Sequence, residues 1–337
     1  MTELTGLPTK EVGLLRVIRQ TAGSGMARTR DVLSAVDRAG VMGPRAAQQT
    51  LIDLIAPWRR HLPLVRGDGN WGSQEGDPPA DPEYTEVGLT RYGELALAAE
   101  EGSIGPVPLG LIDGSWYRGG QHPPYDPRAV LQALQHRDAA GLLPAPPTGG
   151  RVSGNLTDLA AGRPAHVTVS ATAIIERREP APVKSPEAPP GAKGAWVIWT
   201  TPRHKLGGDR VVVTEIPYGV SIDDAVNDLL YRSRAPLGDP PVPDDRPNAG
   251  PPGRPPRGPI EEVCDHSSDR GTSVICLIQD GADREEARRW VLSTPSLSVN
   301  IDSILPAPID RLIADWDAGD GSGLTALADL IHSDTAG

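Results

Sequence analysis

Tyr84 closes a segment punctuated by glycine and proline, Asp68-Gly-Asn-Trp-Gly-Ser-Gln-Glu-Gly-Asp-Pro-Pro-Ala-Asp-Pro-Glu-Tyr84, and stands at the start of a helix-compatible run. A tyrosine phenol can serve as a nucleophile that forms a covalent ester through its oxygen. Its ordinary pKa near 10 keeps it protonated at neutral pH, so such work needs a base or nearby cations. The residue beside it, Glu83, is an acid instead. Outside a motif that calls for this chemistry, a loop tyrosine serves as a hydrogen-bonded structural residue, and both readings stand at this point. Two further patterns compete for attention. Gly67-Asp-Gly-Asn-Trp-Gly72 fits G-x-G-x-x-G, but that fingerprint works only where a helix begins at the glycines and holds a pyrophosphate. Gly76, Pro78, Pro79 and Pro82 follow, so no helix is expected and the match reads as coincidence. Cys264 and Cys276 would face each other across a hairpin. A disulfide or redox switch there competes with the plainer reading of two small buried residues in a reducing cytosol.

Charge divides the segments that must position Tyr84. The chain has 337 residues and a net charge of −11, which argues against a uniformly basic coat for nucleic acid. Between Lys10 and Arg66 there are ten basic residues against four acids, while Gly67–Glu101 holds nine acids and only Arg91 as a base. A basic head could therefore touch phosphates, whereas the tyrosine loop is acidic. No metal-ligand cluster stands out. No apolar run is long enough to span a membrane and no signal-peptide pattern opens the chain, so a cytoplasmic location is expected.

Helical spacing predicts short helices over Val12–Gln20 and Arg30–Arg38 and a stronger one over Pro44–Pro57. In the last, Ala47, Leu51, Leu54 and Ile55 form the apolar stripe and Arg45, Gln48, Gln49 and Asp53 lie away from it. Three helices, a loop and short strands follow the order of a winged-helix unit with Pro44–Pro57 as recognition helix; a plain small helical domain fits the pattern as well. Arg128–Arg137 reads as another helix. Val, Ile and Thr then accumulate in strands over His166–Glu176, Ala195–Thr200 and Arg210–Ile216. Ser221–Tyr231 reads as a helix capped by Ser221. Glu262–Ser268 and Thr272–Gln279 form a hairpin around Asp269–Gly271, followed by a helix over Asp283–Thr294 and a strand over Leu297–Leu305. The fold class is α+β. Residues 178–194 and 235–259, rich in proline and poor in large apolar side chains, are expected to be disordered.

Three blocks in order carry a resemblance to the A subunit of bacterial type IIA DNA topoisomerases, the DNA gyrase and topoisomerase IV family. They are Gly43–Trp58, Asp68–Thr90, and Val211-Val-Val-Thr-Glu-Ile-Pro-Tyr218 with Ile260-Glu-Glu262, Ser268–Gly271 and Val299-Asn-Ile301. The resemblance implies a winged-helix-like DNA-cleavage domain over 1–137 and a tower-like α+β domain over 138–306. It implies double-stranded DNA as partner, with Tyr84 forming a transient phosphotyrosyl link. It further implies an ATPase B-type subunit that supplies Mg²⁺ and ATP, neither bound by this chain, and it allows a homodimer. Arg45, Gln48, Gln49, Arg91 and His122 are the DNA-binding residues carried over, His122 at the position of a base-pair wedge.

The departures bear on activity. Glu83 stands where the family has arginine, and Gly40-Val-Met-Gly43 replaces a His-Pro-His-Gly turn. A unit charge near 4 Å at an effective dielectric of about 20 is worth roughly 4 kcal/mol, and exchanging plus for minus roughly twice that if Glu83 faced the phosphate. Arg45 and Gln49 replace the serine and acid of the family's quinolone site. Residues 307–337 are expected as a short tail in place of the coiled-coil gate. A second reading is therefore a catalytically impaired paralogue that acts as a DNA-binding or topoisomerase-binding regulator or resistance factor.

Overall fold

Apolar side chains at helical spacing build the first layer. In the computed structural model, α1 (Thr9–Ala22) buries Val12, Leu14, Leu15, Val17 and Ile18, and α2 (Thr29–Arg38) buries Val32, Leu33 and Val36. In α3 (Pro44–Ile55), Pro44 opens the helix and Ala47, Leu51 and Leu54 turn inward. Three short strands, β1 (Ala27–Arg28), β2 (Val65–Asp68) and β3 (Glu86–Leu89), form an antiparallel sheet with β3 in the middle. The structure describes residues 4–114, 116–117, 120–139, 141–178, 208–234, 258–268, 271–305, 308–317 and 321–334.

The run after Tyr84 is thus a strand, not the expected helix. Pairing on both edges fixes Glu86–Leu89 as the centre of the sheet, and tertiary pairing overrides local propensity. The helix begins only at Arg91, where Thr90 Oγ1 accepts the Gly93 N–H at 3.1 Å to cap α4 (Arg91–Glu100). Then come α5 (Leu109–Asp113), the two-residue strands β4 (Trp116–Tyr117) and β5 (Gly120–Gln121), and α6 (Pro127–His136), capped by Asp126 on the Ala129 N–H at 2.8 Å. β6 (Arg151–Gly154), α7 (Leu156–Ala160) and β7 (Ala165–Ser170) follow.

Two units emerge, residues 1–169 with 300–337 and residues 170–299, in place of boundaries at 137 and 306. The expected strand His166–Glu176 is divided at Ala171 into β7 and β8 (Thr172–Arg178), which enter different sheets. In the second unit β8, β9 (Gly208–Glu215), β10 (Ile260–Asp265) and β11 (Val274–Ile278) make an antiparallel sheet in the order β10-β11-β9-β8. Two helices, α8 (Ile222–Arg234) and α9 (Arg284–Leu292), supply Ile222, Ala225, Leu229, Ala287 and Val291 to the core formed with Val211, Val213, Val274 and Cys276. Ser221 Oγ caps α8 by accepting the Asp224 N–H at 3.0 Å. Cys276 pairs with Val263 and Cys264 with Ile275, so the cysteines do not sit opposite one another as expected, and no disulfide joins them.

The first unit resumes with β12 (Ser298–Ser303), which joins β7 and β6 in the order β12-β7-β6. Residues 307–337 are not a bare tail. Within them α10 (Ile309–Asp317) and α11 (Ser322–Asp334) bury Ile309, Ile313, Leu327 and Ile331 in the same core as α1 and α4. The expected strand Ala195–Thr200 and most of the proline-rich stretches 178–194 and 235–259 lie outside the described residues. Arg178 ends β8, and Gly258 and Pro259 accept hydrogen bonds from Gln279 at 2.7 and 2.9 Å.

Candidate active site

Tyr84 is the most exposed large apolar or aromatic side chain among the described residues, at 77% of its free surface. It belongs to the loop joining β2 to β3, and the loop is built on its own hydrogen bonds. Asn70 O accepts the Ala80 N–H at 2.9 Å, Asn70 Oδ1 accepts the Gly72 N–H at 2.8 Å, and Asp81 O accepts the Tyr84 N–H at 2.9 Å. Trp71 is buried over Gly67 and donates Nε1–H to Asp68 O at 3.1 Å. A side chain at Gly67 would collide with that ring. Gly69 has φ +91°, and a Cβ there would lie 2.8 Å from Tyr84 O. The glycines of the nucleotide-like pattern thus serve the loop's own packing, and no helix begins at them.

The loop is pinned to the start of α2 on both sides of Tyr84. Thr29 N–H donates to Thr85 O at 2.9 Å, Arg30 N–H donates to Pro82 O at 3.3 Å, and the buried Thr85 hydroxyl donates to Thr29 Oγ1 at 2.8 Å. The Arg30 guanidinium reaches Glu83 at 3.3 Å and Asp31 at 3.4 Å. Glu83 therefore does not stand as a bare anion beside the phenol. Arg30 and Glu83 are 49% and 60% exposed, so water screens the pair and the unfavourable charge at position 83 is far smaller than an unpaired contact implies. The loop surface remains acidic, with Asp68, Glu75, Asp77, Asp81, Glu83 and Glu86 all exposed.

The other expected site residues scatter. Arg45 and Gln49 are exposed at the N-terminal end of α3 and line an open hollow with Gly43, Pro44 and Ala46. Gln48 is half-buried on the same helix. Gln49 donates to Asp53 Oδ1 at 3.4 Å. Arg91 is exposed but tied to α11, pairing with Asp334 and donating to Ser333 Oγ at 3.3 Å. Asp334 also accepts the Tyr92 hydroxyl at 2.6 Å. His122 departs most from expectation. Only 2% exposed, its ring centroid lies 6.0 Å from that of Tyr125, and burial pulls its pKa down to about 4. A neutral imidazole inside the core presents no wedge to base pairs.

Sequence reasoning missed Arg30 as the partner of the loop. It is 53 positions from Glu83, and only its membership of the basic head pointed to it. Missed as well was the buried cluster in which Arg60 donates to Glu11 Oε2 at 2.8 Å and pairs with Asp113 at 3.5 Å. Burial raises the Asp113 carboxyl to about 7 despite the favourable Arg60 charge. Among the described residues no three His, Cys, Asp or Glu side chains converge to hold a metal ion, and no helix is long and apolar enough to cross a membrane.

No protein-family model matches the chain. Curated proteins do. The DNA gyrase A subunit of Kosmotoga olearia is 26% identical over 259 residues, covering 72% of this chain and 28% of its own length. The Mycolicibacterium smegmatis counterpart is 24% identical over 66% of this chain and 28% of its own. The chloroplastic/mitochondrial counterpart of Arabidopsis thaliana is 29% identical over 52% of this chain and 20% of its own. The chain thus spans about 28% of the length of the first two relatives. At roughly a quarter identity over 66–72% of its residues, the chain is a divergent relative of the DNA gyrase A subunit.

Proposed function

We propose that this chain is a topoisomerase A-subunit-like protein that binds double-stranded DNA and breaks it transiently through Tyr84. The observation that carries the reading is the exposure of Tyr84 near the end of the hydrogen-bonded loop between β2 and β3. The order α1-β1-α2-α3-β2-β3 with β3 central supports a winged-helix reading, with α3 and Arg45, Gln48 and Gln49 toward DNA. The antiparallel sheet with two helices over residues 170–299 supports the tower-like reading. In the reaction the Tyr84 Oη–P bond forms, a P–O bond to a deoxyribose breaks, and the phenolic proton ends on the departing alkoxide. Resealing is the reverse. Mg²⁺ and ATP belong to a B-type partner on this reading, which also admits a homodimer and expects a cytoplasmic location.

A second reading is favoured by the six exposed acids on the segment Asp68–Glu86 that carries Tyr84. Anions repel a DNA backbone. In that case the chain is an impaired paralogue that binds DNA or a topoisomerase and modulates or protects it. One assay separates the two. The protein is mixed with a gyrase B-type subunit, Mg²⁺ or Ca²⁺ and plasmid, then trapped with denaturant. Covalent adducts that disappear in Tyr84→Phe support cleavage. Adduct-free mixtures that still alter the supercoiling rate of an intact gyrase support the modulator.

A further inference from the structure

Granting that Tyr84 attacks a DNA phosphate, we infer that Arg30 is the residue that binds this phosphate, with Glu83 as a positioning residue that holds its guanidinium ready. The geometry ties Arg30 to the segment that carries the nucleophile. Its own N–H is bonded to Pro82 O and that of Thr29 to Thr85 O, the carbonyls on either side of Tyr84. The N-terminus of α2 therefore cannot drift from the loop while these bonds last. The guanidinium carries five N–H donors, and its two carboxylate contacts, Glu83 at 3.3 Å and Asp31 at 3.4 Å, leave the rest toward solvent.

Charge points to Arg30 independently of that geometry. A phosphodiester approaching Tyr84 nears a segment, Asp68–Glu86, with six exposed carboxylates, and needs a cation within reach. Among the described residues, Arg30 is the cation in an ion pair with that loop. A half-exposed arginine–carboxylate pair is weak, and a planar guanidinium grips phosphate through two donors at once. Phosphate therefore displaces the carboxylates without unfolding anything. Glu83, read from sequence as an obstacle, holds the Arg30 guanidinium against the loop in the free protein.

The test uses the full chain, plasmid, a gyrase B-type subunit with Mg²⁺ for trapped adducts, and a short DNA duplex for binding across a salt series. Arg30→Gln is expected to cut Tyr84-dependent adducts at least tenfold and to lower the salt slope of duplex binding by about one. Arg30→Lys should keep the slope and recover part of the adduct yield. The exchange Arg30→Glu with Glu83→Arg should restore adducts to within a few-fold of the natural protein, since the ion pair is kept and a cation stays on the Tyr84 segment. Thermal melts check that each variant folds. Adducts and slope unchanged in Arg30→Gln, while Tyr84→Phe still abolishes adducts, would overturn the role of Arg30 and leave the Tyr84 reading standing. No adducts even from the natural protein would remove the Tyr84 reading and Arg30's role at a reacting phosphate with it.

Discussion

The first unit contains two arginine–carboxylate clusters of the same chemistry in opposite surroundings. Around Arg60, the Asp113 side chain is wholly covered and that of Glu11 largely so. Around Arg30, Glu83 and Asp31 are all half exposed or more. In the buried cluster charge is costly to desolvate and cannot be exchanged, so the ions fix α1, α5 and the segment after α3 to one another. In the exposed cluster water already screens the pair, so little is lost when a phosphate replaces a carboxylate. Residue type alone does not distinguish scaffold from site; solvent access does.

Removing one partner from each cluster should separate them most. Arg60→Ala leaves the buried Asp113 and the largely covered Glu11 without their cation, and urea denaturation at pH 8 should show a loss of roughly 3–5 kcal/mol. A loss below about 1 kcal/mol would mean that the cluster is wetter than its burial indicates. The titration of Asp113 sharpens the contrast. Folded, it keeps its proton up to about pH 7, whereas an unfolded aspartate releases it near 3.9. Between about pH 4 and 7 the folded state therefore binds the extra proton, and stability falls as pH rises, by up to about 1.4 kcal/mol per unit. Above and below that window the contribution is flat. Asp113→Asn should flatten the profile between those limits, and equal slopes in the two proteins would contradict the assignment.

Smaller effects belong to the loop. Gly69→Ala forces a side chain into a left-handed conformation against Tyr84 O and should cost roughly 1–3 kcal/mol in thermal or chemical melts. An unchanged melting curve would show that the loop relaxes freely. Smallest is Glu83→Gln, expected to alter stability by less than about 0.5 kcal/mol while strengthening duplex binding at low salt. Weaker binding in that variant would mean that holding Arg30 in place outweighs the negative charge Glu83 brings to the phosphate.

Local pattern made much of the fold legible. The stripe Ala47, Leu51, Leu54 defines α3, Ser221 and Asp283 cap α8 and α9, and Val-rich runs give β9 and β11. The tyrosine loop was legible from glycine and proline. What local pattern could not give was set by distant partners. β3 contains Gly88 and Glu86 and is a strand because β1 and β2 flank it. α10 and α11 were hidden because nothing nearby announces that the first unit's core receives Ile313 and Leu327. Ser268 bridges Gly271, which centres the hairpin between residues 269 and 270. A hairpin centred on the middle of Asp269–Gly271 would instead pair Ser268 with Thr272, so every cross-strand partner moves by one and the cysteines part. Arg30 and Glu83 meet through the docking of α2 on the loop, invisible to any window shorter than their separation.

The role of Tyr84 and Arg30 is tested most directly by the yield of denaturant-trapped protein–DNA adducts. Plasmid, Mg²⁺ and a gyrase B-type subunit are mixed with the natural protein, Tyr84→Phe and Arg30→Gln side by side. We expect adducts from the natural protein, none from Tyr84→Phe and at least a tenfold reduction from Arg30→Gln. Adducts that persist in Tyr84→Phe, or their absence from the natural protein under conditions where it binds the plasmid, would contradict the assignment of Tyr84 as nucleophile.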